Sequence, residues 1–140
     1  MLGKRLKSSI ICGAMFVLNW FNWQPLHALP SSEDDKKDPN SFSGNVSWYG
    51  RGFNGKKTAS GELFDMSKCT AAHLHLAFGT RVLVEDPRTG KTVLVKVNDR
   101  GPFVKTRIMD MAREGAKRLG TLSQGVVFVD CLIVKKADES

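Results

Sequence analysis

The sequence predicts a mainly all-β domain: a small closed barrel of about six short strands with one or two short helices. Three observations lead there. Two β-branched runs, Arg81 to Glu85 and Thr92 to Val97, flank the turn sequence "DPRTG". Val126 to Val134 is the longest β run, interrupted on one face by Asp130, and only Ile108 to Leu119 shows helical spacing. The 93 residues from Gly44 to Lys136 are few for a sandwich of two full sheets, whereas closure into a barrel removes exposed strand edges.

Taken in order, Met1 to Lys7 carries Lys4, Arg5 and Lys7 with no acid, and Ile10 to Leu18 is nine apolar or small residues. That is the pattern of a secretory signal, too short for a membrane span of about 20 residues. Residues 1–28 are the expected signal peptide, with cleavage after Ala28. Only Ser8 to Ile11 separate Cys12 from Lys7, so most of the apolar run follows the cysteine instead of preceding it; lipidation is not expected and no stable membrane anchor remains after cleavage. Residues 29–43 are polar, include Pro30 and Pro39, and form the expected linker. The folded domain is expected over 44–136, with a tail at 137–140.

Inside the domain, Val46 to Tyr49 reads as a short strand. Trp48 shares the parity of Val46 and belongs in the core, which leaves Tyr49 on the opposite side. Gly50 to Lys57 is a loop rich in Gly and Lys. Pro87 suits the second position of a type I turn and Gly90 its close, so the flanking runs form a hairpin. Ile108, Met111, Ala112, Ala116 and Leu119 mark a helix with Asp110 at its N-cap and Gly120 as its stop. In the last strand Val127, Val129, Cys131 and Ile133 form one face.

Ser41 to Lys136 holds 16 Lys and Arg against 8 Asp and Glu, a surplus of eight positive charges. A basic exported domain suits an anionic wall polymer better than nucleic acid, which is not expected as a partner. Export also leaves Cys69 and Cys131 as the cysteines of the mature chain, a possible disulfide in an oxidising compartment.

The chemistry centres on few acids. In "VKVNDRGPF" a strand ends on Asn98, Asp99 and Arg100 before Gly101 and Pro102 turn the chain; in "TASGELFD" Glu62 follows small and hydroxyl-bearing residues, among them Ser60. Glu85, Asp86 and Asp130 read as solvated charges, and Asp65 as a local cap. His73 and His75 lack a third ligand at metal spacing, so neither metal nor cofactor is expected. The chain has no G-x-S-x-G, and neither cysteine stands near a histidine in a nucleophile arrangement. Carboxylate acid/base work on a glycan remains.

Five segments, "VSWYG", "GKKTASGELFDM", "TAAHLHLAFGTRVLV", "VKVNDRGPF" and "RIMDMAREGAKRLG", occur in an order that resembles the double-psi β-barrel domain of the rare lipoprotein A family, septal lytic transglycosylases of bacterial cell walls. The resemblance runs from Gly44 to about Val134. It implies Asp99 and Glu62 as the catalytic acids and His73 in the groove, with Tyr49, Ser60, Asn98 and Arg100 as further substrate-binding candidates. It also implies cleavage between N-acetylmuramic acid and N-acetylglucosamine to leave 1,6-anhydro ends, by a monomer in the periplasm or at the cell wall. Arg100 is expected to point outward or toward Glu62. A non-lytic, expansin-like wall-loosening module is the alternative, since the same barrel serves both.

The processing expectation is directly measurable: the exported protein should have the intact mass of residues 29–140 without lipid. A diacylglyceryl mass on Cys12 would overturn it.

Overall fold

The computed structural model describes residues 38–136. The expected signal peptide, the linker as far as Lys37 and the tail lie outside the described residues. Six strands, β1 (Ser41–Tyr49), β2 (Thr70–His73), β3 (Arg81–Asp86), β4 (Lys91–Asp99), β5 (Met109–Ala112) and β6 (Val127–Lys135), close into a barrel in the order β1-β5-β2-β4-β3-β6. Among the described residues one helix, α1 (Arg113–Leu119), and a single 3₁₀ turn (Arg51–Phe53) complete it. Two pairings are parallel, β1 with β5 and β2 with β4; the others are antiparallel.

The barrel interior is filled by alternate residues of every long strand. Val82 and Val84 of β3, Val93, Val95 and Val97 of β4, Val129 and Cys131 of β6, and Val46 of β1 are all buried. Each such valine contributes about 1.5–3 kcal/mol on leaving water, so the interior alternation sets the register of the sheet. The hairpin read around "DPRTG" is β3 and β4, with Gly90 N–H and Thr89 N–H both donating to the Asp86 carbonyl. Asp86 departs from expectation. It is buried, not solvated, and its carboxylate accepts the Arg88 N–H and a two-point bond from the Arg88 guanidinium, which holds it below the usual carboxylate range.

Three boundaries also differ. β1 begins at Ser41, inside the expected linker, because Ser41 to Gly44 continue the ladder opposite Leu132 to Val129. Met109 to Ala112 form a strand, not the first turn of a helix. Met109 and Met111 both point into the core while Asp110 points out, and β5 is clamped between parallel β1 and antiparallel β2. Apolar spacing at Ile108, Met111 and Ala112 suits a helix as well, and the two flanking ladders decide against it. α1 therefore starts at Arg113 with Ala112 as its N-cap, and it ends as expected at a left-handed Gly120.

Among the described residues Cys69 and Cys131 are unpaired, which is one of the two outcomes the sequence left open. Cys69 precedes β2, Cys131 is on β6 facing the interior, and these two strands are not neighbours in the barrel. Burial pushes the Cys131 thiol up to about 12, with the adjacent Asp130 charge adding to the rise. Two free thiols should consequently titrate in the unfolded, unreduced mature protein. In the folded protein at mildly alkaline pH, a thiol reagent should label Cys69 well before Cys131, because Cys131 combines burial with a negligible thiolate fraction. Titration of no thiol after unfolding would restore the disulfide.

Candidate active site

Four neighbouring strands place one residue each in a row: Ser47 on β1 opposite Asp110 on β5, Asp110 opposite Ala72 on β2, and Ala72 opposite Asp99 on β4. The last pairing exists only because the β2–β4 register slips. Ala71 faces Val97, yet Ala72 faces Asp99, so Asn98 is skipped. A bulge of this kind re-aims a side chain at a strand end. With Val97 committed to the interior, the slip brings Asp99 level with Ala72, whose single methyl leaves an open floor. A cleft of about 390 Å³ results, lined by Ser47, Tyr49, Phe53, Ala72, Asp99, Phe103, Arg107 and Asp110 among others.

Asp99 is fixed from two sides through one oxygen. Oδ1 accepts the Ala59 N–H at 2.9 Å and the Arg100 N–H at 2.8 Å, while Oδ2 accepts no hydrogen bond from the described residues. The Ala59 donor comes from the tip of a small hairpin built by "KKTASGELF". Thr58 N–H donates to the Glu62 carbonyl and Gly61 N–H to the Thr58 carbonyl, the pattern of a three-residue loop whose last position, Gly61 at φ 86°, is left-handed. Ser60 contributes its N–H to the Asn98 carbonyl at 3.2 Å and its hydroxyl to a bond with Thr58. The motif thus docks a hairpin tip on the end of β4.

Glu62 does not line the Asp99 cleft. Its exposed carboxylate binds Lys96 Nζ at 2.8 Å and Asn98 Nδ2 at 3.0 Å, and these bonds, the Asn98 amide foremost, hold it below the usual carboxylate range. Asn98 is buried and serves this latch. Arg100 points neither outward nor to Glu62. Its guanidinium donates to the His73 and Leu76 carbonyls at 3.2 and 2.9 Å and lies 3.8 Å over the Phe78 ring, a strut that fixes the loop after β2. His73 lines a second concavity with Phe42, Leu74, His75, Leu76 and Ile108, which shares Arg107 with the first.

Two charged residues of the cleft escaped sequence reasoning. Asp110 accepts from Ser47 Oγ at 2.6 Å and from the Arg107 guanidinium at 2.9 Å, while Arg107 links the two concavities. The signal for Asp110 was present, since it alternates between two buried methionines, but the helical reading consumed it. Tyr49 lies on the side of β1 opposite Val46, as expected, and stacks on the buried Phe64 with centroids 4.5 Å apart.

A family model described as "Lytic transglycolase" matches residues 41–131. The chain belongs to this lytic transglycolase family. It is 49% identical over 83 residues to "Probable endolytic peptidoglycan transglycosylase RlpA" of Synechocystis sp., covering 59% of this chain and 26% of that protein. It is 47% identical over 87 residues to "Endolytic peptidoglycan transglycosylase RlpA" of Neisseria meningitidis serogroup B, covering 62% and 36% respectively. For the Aquifex aeolicus relative, also named "Probable endolytic peptidoglycan transglycosylase RlpA", the figures are 42% over 100 residues, 71% of this chain and 44% of that protein. The chain thus spans less than half the length of these curated relatives. Among solved structures, Streptomyces papain inhibitor aligns with a TM-score of 0.57 at 22% identity, over 68% of this chain and 94% of that one. The apo expansin of Clavibacter michiganensis aligns with a TM-score of 0.56 at 22% identity, over 71% and 52%. At these identities the likeness shows the barrel fold.

In this lytic transglycolase barrel His73 has a measurable electrostatic signature. Its Nδ1 accepts the N–H groups of His75 and Leu76 at 3.1 and 3.0 Å, which protonation of that nitrogen would break. Burial first, then the nearby His75 and Arg100, lower its pKa below 6.5. The unfolded chain therefore takes up this proton before the folded one does. The His73 contribution to stability is full above about 6.5 and is lost as pH falls from there toward the lower folded value. Denaturant midpoints measured between pH 7 and 5 should decline in the wild type, and less steeply in His73→Asn, whose amide oxygen can still accept. Identical slopes would remove His73 as the cause.

Proposed function

We propose that this chain is the catalytic barrel of an endolytic peptidoglycan transglycosylase acting outside the cytoplasm, with Asp99 as its single acid and base. The observation that carries the reading is the division of labour in the Asp99 carboxylate: Oδ1 is anchored by two backbone N–H groups, and Oδ2 is left free in an open cleft. The family match and the printed names of relatives 42–49% identical support the same reaction class.

The substrate is a glycan strand of alternating N-acetylglucosamine and N-acetylmuramic acid, cut at the bond on the anomeric carbon of the muramic residue. Asp99 gives its proton to the leaving glycosidic oxygen as that bond breaks. The muramic 6-hydroxyl then bonds to its own anomeric carbon, and its proton returns to Asp99, so one carboxyl serves both steps and no water is consumed. The exposed Phe53 and Phe103 flank the cleft and offer apolar faces to sugar rings. Glu62, held by Lys96 and Asn98, acts as a positioning residue that keeps Asn98 and the hairpin tip in place. The chain works as a monomer on the wall, without cofactor.

Asp99→Asn keeps the side-chain shape and removes the proton carrier. It should lower turnover on purified sacculi at least about a hundredfold while sacculus binding persists. Glu62→Gln should cost less, because Asp99 keeps both backbone anchors. Mass spectrometry of the soluble products checks the reaction itself, since 1,6-anhydro fragments are lighter by one water than hydrolysis products. Wild-type protein that binds sacculi and releases no such fragments would sink the lytic reading in favour of an expansin-like one.

A further inference from the structure

Tyr49 is placed too deeply to act on a sugar through its hydroxyl. Its ring is stacked on the buried Phe64 and meets the Phe53 ring edge-on at 5.7 Å, and its hydroxyl oxygen is buried with no hydrogen bond of good geometry from the described residues. Buried phenols nearly always find an acceptor, because an orphaned donor forfeits its hydration for nothing. Tyr49, Asp99 of β4 and Asp110 of β5 line the same cleft, and burial first, then the charges of Asp99 and Asp110 and the hydrogen-bonding approach of the Asp99 side chain, hold the phenol far above its ordinary range. The cleft's two arginines do not compete for it: Arg107 is paired with Asp110, and the Arg100 guanidinium is spent on the His73 and Leu76 carbonyls.

The two carboxylates differ in what they can still accept. Asp110 Oδ1 already takes Ser47 Oγ and Arg107 Nε, and its Oδ2 takes Arg107 Nη2 at 3.4 Å. Asp99 has both of its bonds on Oδ1. We propose that Tyr49 is the positioning partner of Asp99: its O–H donates to Oδ2 of Asp99 once that oxygen is ionised, and releases it when the proton returns. This inference rests on the assignment of Asp99 as acid and base. In that cycle the leaving oxygen takes the proton from Oδ2, and the charge left there is met by the Tyr49 O–H until the muramic 6-hydroxyl gives its proton back. The aromatic clamp of Phe64 and Phe53 keeps the phenol beside Asp99 and away from the glycan.

Tyr49→Phe tests this with the ring and its packing retained. Two readouts are needed, one of them independent of glycan cleavage. The first is titration of the Asp99 side-chain carboxyl by carbon-13 NMR in wild type and variant; a donor to the ionised form favours that form, so the Asp99 midpoint should move to higher pH in the variant. The second is steady-state cleavage, where kcat should fall about tenfold, the scale of one lost hydrogen bond to a charged group, with KM and sacculus binding within about twofold. The descending limb of the pH profile, set by loss of the Asp99 proton, should move up with the NMR midpoint. An unchanged Asp99 midpoint overturns the proposal, whatever happens to cleavage. A rise in KM with kcat preserved also overturns it, because it would make Tyr49 a glycan contact. If wild-type protein releases no anhydro products, the transglycosylase reading fails, and the NMR titration still decides the partnership of Tyr49 with Asp99.

Discussion

The cleft depends on one slip of register between two parallel strands. Were β2 and β4 paired without it, Ala72 would stand opposite Asn98 and Asp99 would follow its parity, away from Asp110. The slip costs a ladder position, which strands tolerate at their ends, where the neighbouring pairs Ala71–Val97 and Ala71–Met111 remain anchored in the core. In return it assembles Ser47, Asp110, Ala72 and Asp99 in one row across four strands. The barrel holds that row rigid, because every one of those strands is hydrogen-bonded on both sides and filled from within by Val46, Ala71, Val97, Met109 and Met111.

The hairpin of "TASGE" then completes what the barrel begins. It is a loop held by Lys57–Leu63 pairing and by backbone bonds between Thr58 and Glu62. Its hold on β4 has three parts: Ala59 N–H on Asp99, Ser60 N–H on the Asn98 carbonyl, and the Glu62 carboxylate on Lys96 and Asn98. The ion pair is exposed on both partners, and such pairs contribute only about 0–1 kcal/mol. The backbone donors are the stronger restraint. They are also directional, which matters for a group whose second oxygen must meet a substrate atom. The hairpin therefore acts on chemistry through the orientation of Asp99, and Glu62, through Lys96 and Asn98 of β4, acts on the hairpin.

Much of the fold was legible because β3, β4 and β6 are β-branched runs with a valine or cysteine at every second, inward position, and the β3–β4 turn carries Pro87 and Gly90 at the positions that the turn geometry needs. β5 was not legible. Its four residues satisfy strand and helix spacing at once, and a four-residue strand has too little pattern of its own to choose. The error carried into the site, since reading Asp110 as a helix cap removed from view the acid that shares the cleft with Asp99. Asp86 shows the same limit in another form: an acid in a turn is ordinarily solvated, and only the return of Arg88 over it made burial affordable.

The sequence by itself determined the strand chemistry of the barrel interior, the hairpin at Pro87 to Gly90, the helix stop at Gly120 and the concentration of acid chemistry near Asp99. Those are local facts, written in side-chain period and in backbone preference within a few residues. Which oxygen of Asp99 is free, that Glu62 binds Lys96 and Asn98 outside the cleft, that Arg100 braces a loop, that Cys69, just before β2, stays unpaired with Cys131 on the non-neighbouring β6, and that Asp110 joins the site were decided only by the tertiary structure. Each depends on the order in which strands pair and on a single skipped residue at the end of β4, and neither quantity is a property of any short stretch of chain.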